Sequence, residues 1–109
     1  MNYAATLKVG DRAPKFESTL KYEDGDPIDL TGATVTFRAK RADGTSITGS
    51  ATIESATNGR VSYAWASGDT DVPGVMLCEW RVVNGGLQQT VPSEGFQRIL
   101  VDPAVPDPA

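Results

Sequence analysis

The run Val75-Met76-Leu77-Cys78-Glu79-Trp80-Arg81-Val82-Val83, residues 75–83, sets Met76, Cys78, Trp80 and Val82 on one side of an extended backbone and Val75, Leu77 and Val83 on the other. Successive side chains of a strand point to opposite faces, so apolar residues on both sides mark a central strand of a sheet. On the N-terminal side, Ser67 to Gly74 is a polar connection with room for one helical turn starting at Ser67 or Asp69. On the C-terminal side, Asn84-Gly85-Gly86 makes a hairpin turn into Leu87–Val91. Pro92 to Gly95 then breaks the ladder, because proline has no N–H to give it, and residues 96–101 close the series.

The same alternation recurs upstream. Lys15 to Tyr22 puts Phe16, Leu20 and Tyr22 on one face, and Thr34 to Lys40 puts Val35, Phe37 and Ala39 on one face. Ile28-Asp29-Leu30 is a short extended piece, Ile47, Ala51 and Ile53 mark weaker strand pieces, and Asn58-Gly59 turns into the strand at Arg60–Trp65. No segment of helical length carries an i, i+3, i+4 pattern and no internal repeat is present, so the sequence predicts an all-β, antiparallel β-sandwich of about seven short strands, a closed barrel being the alternative. Residues 8–101 form its body. Residues 1–7 read as an N-terminal arm, and residues 102–109, with three prolines, as an extended C-terminal tail.

Composition narrows the chemistry. The 109 residues are 39% apolar and 22% charged with a net charge of −4, the profile of one soluble globular domain. No apolar run approaches the roughly 20 residues of a membrane span, and Met1-Asn2-Tyr3 opens no secretion signal, so no membrane partner is expected. The acidic balance argues against nucleic acid, whose phosphates are held by clustered Lys and Arg. Histidine is absent and cysteine occurs once, which removes His-based nucleophile systems, His-containing zinc sites and any intrachain disulfide. Neither enzyme chemistry nor a cofactor is expected.

Particular residues carry alternative uses. Trp65 and Trp80 suit a core between two sheets, the rival being a sugar-stacking platform on an exposed face. Cys78 reads as a small apolar core residue. Asp24, Asp26 and Asp29, and Asp69 with Asp71, suggest turn capping before calcium binding, since their spacing fits no EF-hand loop. Arg38, Lys40 and Arg41 form a local basic group. Val75, Leu77 and Val83, the outward set of the long strand, are the candidate partner-contact residues, because apolar groups facing water tend to mark partner surfaces.

The order of these pieces resembles the N-terminal domain family of phage baseplate upper proteins. The resemblance is carried by Gly10-Asp11, the run Gly25 to Phe37, Asn58 to Tyr63, Asp69-Thr70, Pro73-Gly74, Cys78-Glu79-Trp80, Thr90-Val91-Pro92 and Gly95-Phe96, covering residues 8–101. It implies an immunoglobulin-like β-sandwich located in the virion, without catalysis, that docks to other virion proteins in the tail or baseplate or on the head surface as a capsid decoration. Homo-oligomerisation is compatible with it. The alternative function is a carbohydrate-binding or host-adhesion module.

Overall fold

The computed structural model describes residues 3–22, 24–92 and 95–103. Among these, nine strands occur and no helix: β1 (Ala5–Lys8), β2 (Phe16–Thr19), β3 (Thr34–Lys40), β4 (Ser46–Ser50), β5 (Thr52–Ser55), β6 (Arg60–Tyr63), β7 (Gly74–Asn84), β8 (Leu87–Val91) and β9 (Gln97–Asp102). They divide into a six-stranded sheet in the order β1-β9-β7-β3-β4, with β8 also paired to β7, and a three-stranded sheet in the order β2-β6-β5. The chain is thus an all-β sandwich, and β7 is central to its larger sheet as its two-sided apolar pattern requires.

The core lies between the sheets. From the larger sheet come Val35, Phe37, Ala39, Met76, Cys78, Trp80, Val82, Ile99 and Val101; Phe16, Val61 and Tyr63 come from the smaller, all buried. Aromatic rings lock the two layers together. Phe37 stacks on Tyr63 with centroids 4.4 Å apart and meets Trp80 edge-on at 5.0 Å, while Phe16 stacks on Trp80 at 5.6 Å. Such pairs add about 0.5–1.5 kcal/mol each beyond the area they bury.

Several expectations shift in detail. Seven strands become nine because β1 adds a strand at the N-terminal end and the weak segment around Gly49 is two strands: β4 belongs to the large sheet, β5 to the small one, and Ala51 stands at the corner between them. One pairing departs from an antiparallel design, since β1 runs parallel to β9 in the register Ala5↔Ile99 to Lys8↔Asp102. This also places the sheet boundary before residue 8. Leu7 is buried against the core, so Ala5 to Leu7, read as part of an arm, sit in a strand, while residues 1 and 2 lie outside the described residues. At the other end Asp102 is the last residue of β9 and its carbonyl accepts from the Val9 N–H at 2.9 Å; residues 104–109 of the expected tail lie outside the described residues.

The strand expected over residues 15–22 stops at Thr19. Beyond it the Leu20 N–H donates to Gly59 O at 2.7 Å and the Ile28 N–H to Leu20 O at 2.9 Å, while the Leu30 N–H reaches Ala56 O at 2.8 Å. Leu20, Ile28 and Leu30 thereby plug one end of the core, and Tyr22, expected beside them, is exposed. Gly59 explains the Asn58-Gly59 signal differently from a simple hairpin. It alone of the pair has positive φ (+68°), and a Cβ there would lie 2.5 Å from the Leu20 carbonyl oxygen. The site needs hydrogen as a side chain as well as a left-handed backbone.

Candidate partner-binding face

The outer faces of the two sheets differ in kind. On the smaller sheet the charges are mutually satisfied: Lys15 Nζ contacts Glu54 Oε1 at 2.9 Å, the Ser62 hydroxyl donates to the same oxygen at 2.8 Å, and Arg60 meets Glu17 at 3.7 Å. These contacts hold the Glu54 carboxyl below the usual range and raise the Lys15 ammonium.

The larger sheet presents an apolar centre instead. Alternation along β7 sends Val75 and Leu77 outward, both half-buried, and the register Val75↔Leu100 sets Leu100 of β9 beside them. Phe96, just before β9 and 50% exposed, shares this face. An open groove of about 230 Å³ runs between Phe96, Leu77, Lys40 and the Glu79–Arg38 pair, whose carboxylate and guanidinium are 3.4 Å apart. Around the apolar centre the outward positions of the strands carry Lys8, Arg38, Lys40, Arg81 and Arg98 against only Glu79 and Asp102. This face is therefore net positive in a chain whose net charge is −4.

Of the three residues singled out from sequence, the structure brings Val75 and Leu77 together and separates Val83. Val83 does face outward, half-buried between Thr34 and Gln88, yet it stands six residues beyond Leu77, roughly 20 Å at strand rise, with Glu79 and Arg81 between. Leu100 and Phe96 were missed. The alternation Phe96, Arg98, Leu100 against Gln97, Ile99, Val101 carries the signal, since the second set faces the core side.

Most of the remaining candidates are accounted for by burial or local bonding. Trp80 is fully buried and Trp65 nearly so, which removes them as a sugar-stacking platform. Cys78 is buried, and burial pushes its thiol up to about 12. Asp24 Oδ1 accepts from the Asp26 N–H at 3.0 Å, Asp29 Oδ1 from the Thr31 N–H at 3.0 Å, and Asp69 Oδ2 from the Ala66 N–H at 2.8 Å and the Tyr63 hydroxyl at 2.6 Å. These are turn caps. Arg41 is drawn off the basic group into a loop clamp, donating to Thr45 Oγ1 at 2.7 Å and Gly68 O at 3.0 Å. Among the described residues no helix is long and apolar enough to cross a membrane.

Comparison with known proteins agrees with the fold. The sequence profile of the BppU N-terminal domain, the domain that opens baseplate upper proteins, matches residues 2–107. The solved N-terminal domain of phage TP901-1 ORF48 superposes with a TM-score of 0.62 at 16% identity, covering 90% of this chain and 83% of that one. No curated protein matches the chain in sequence.

Proposed function

This chain belongs to the BppU N-terminal domain family, which makes it a structural component of the phage virion, of tail or baseplate kind, and from that membership we propose that it is a non-enzymatic docking module. Its contact surface is the outer face of the larger sheet. The observation that carries this reading is the apolar centre formed by Val75, Leu77, Leu100 and Phe96 inside a ring of cations. Apolar centres with charged rims are the usual anatomy of a specific protein interface. The partner it fits is another virion protein offering an apolar patch bordered by carboxylates. The immunoglobulin-like character of the sandwich belongs to the same reading, supported by the buried Trp80 on a central strand between two sheets.

Leu77→Glu tests the reading without unfolding the domain, because Leu77 is flanked in register by Lys40 and Arg98, which would pair with the new carboxylate. Quantitative mass spectrometry of purified particles would show the wild-type chain at a fixed ratio to the baseplate proteins and the variant lost. A folded variant retained at the wild-type ratio would remove this face. A wild-type ratio tracking the major capsid protein instead would place the chain on the head as a decoration.

A further inference from the structure

We propose that β4 is a self-pairing edge, through which two copies of this chain join their six-stranded sheets about a two-fold axis at Thr48. β4 ends the path of its sheet, pairing with β3 in the register Thr36↔Ser50 to Lys40↔Ser46. In an antiparallel ladder, opposed residues alternate between pairs that exchange both backbone bonds and pairs that exchange none. The flanking bonds fix which is which: the Ala51 N–H donates to Val35 O at 3.0 Å and the Arg41 N–H to Thr45 O at 2.7 Å. Counting inward from both ends, Ile47 and Gly49 bond to β3. The N–H and C=O groups of Ser46, Thr48 and Ser50 therefore point away from β3, along the open edge.

That edge is complementary to itself. With a two-fold axis at Thr48, Thr48 faces Thr48 and Ser46 faces Ser50 of the second copy, and these are the residues whose backbone groups point outward, so each pair can exchange two bonds. On the inner side Ile47 of one copy lies opposite Gly49 of the other, a large residue against a bare Cα. No like charges meet, because Thr45 to Ile53 contains no charged residue.

Soluble proteins block such edges with charge, proline or a bulge. The other edges here carry those devices: Lys8 on β1, Glu17 on β2, Glu54 and a register shift on β5, and Pro92 directly after β8. β4 has none of them. The pairing uses the open backbone edge of β4 and not the apolar centre of the outer face, although Ser46, Ile47 and Thr48 also line the groove beside Leu77 and Phe96.

Sedimentation equilibrium of the full chain over a concentration series tests the proposal. The mass should rise from 11.5 kDa toward twice that value. Thr48→Pro removes an N–H that no bond within the chain uses, so it should keep its β-sheet circular dichroism and stay at the single-chain mass. Leu77→Glu should dimerise as the wild type does. In the wild type, amide exchange at Ser46, Thr48 and Ser50 should slow as concentration rises. A wild-type chain that stays single at every concentration, a folded Thr48→Pro variant that still dimerises, or protection appearing elsewhere would each overturn the proposal.

Discussion

The indole N–H of Trp80 donates to Oε1 of Gln97 at 2.8 Å, and Nε2 of the same Gln97 donates to Ser18 Oγ at 3.1 Å. Trp80 and Gln97 belong to the larger sheet and Ser18 to the smaller, so one amide satisfies a buried donor and ties the layers together. Gln97→Leu would leave the indole N–H unpaired in a fully buried ring. The expected loss is about 1–3 kcal/mol, read as a lower urea midpoint with unchanged m-value, whereas Gln97→Glu retains the acceptor and should lose less. Equal midpoints for wild type and Gln97→Leu would show that water already satisfies the indole.

Gly49 supports a second prediction. A Cβ there would lie 2.6 Å from Tyr63 Cε1, and the ring cannot withdraw freely because its hydroxyl is bonded to Asp69 and its face stacks on Phe37. Gly49→Ala should therefore cost about 1–3 kcal/mol as overpacking. In a domain of this size each kcal/mol lowers the melting temperature by roughly 4–8 °C. The double change Gly49→Ala with Tyr63→Leu frees the space, and the two effects should combine to less than their sum. Strict additivity in thermal melts would separate Gly49 from the ring.

How far the sequence carried the fold depended on what kind of information each element holds. β7 and β3 were legible because a central strand prints its two faces into the alternation. β8 was located to the residue by the Asn84-Gly85-Gly86 turn and Pro92. β4 and β5 were blurred together, since the chain passes from one sheet to the other at Ala51 with no turn residue to mark it, while Gly49, within β4, owes its place to the distant Tyr63 ring. The parallel pairing of β1 with β9 joins the two ends of the chain, and no local pattern encodes a partner some ninety residues away. At the candidate face, Val75 and Leu77 were visible as outward apolar residues, but only the strand order puts Leu100 beside them and leaves Val83 apart.

The third prediction concerns pH. Burial raises the Cys78 thiol from about 9 to about 12. A group with a raised folded-state value contributes its full stability below its unfolded value, and that contribution is lost as pH rises from about 9 toward about 12. The slope from one such group is at most about 1.4 kcal/mol per pH unit. Tyr63 is shifted upward as well, by burial and by its bond to Asp69, and adds to the same alkaline limb above its ordinary value. Cys78→Ala should flatten the first part of that limb in denaturant titrations. On the acid side the carboxyls of Asp29, Asp43 and Glu54 are held low, the two aspartates by Thr31 and Thr45 and Glu54 by Lys15 and Ser62. Their contribution is present above the ordinary carboxylate range and fades as pH falls through it, so Asp43→Asn should soften the acid limb and leave the alkaline one unchanged.

The last prediction separates steering from adhesion at the docking face. Lys40 and Arg98 flank Leu77 in register from either side and lie at the rim of the apolar centre, exposed to water. Rim charges act chiefly on the rate of encounter, and their influence is screened over about 10 Å at 0.1 M salt. Lys40→Glu with Arg98→Glu should therefore slow association with the baseplate partner about tenfold at low ionic strength. The difference should shrink as salt is added, with dissociation little changed. Phe96→Ser removes apolar contact instead, and should speed dissociation at every salt concentration. Val83→Glu, at the far end of the same strand, should do neither. Surface plasmon resonance against the isolated partner resolves the two rates. If Val83→Glu weakened binding as much as Phe96→Ser did, the contact would have to run the full length of β7 rather than centre on Leu77.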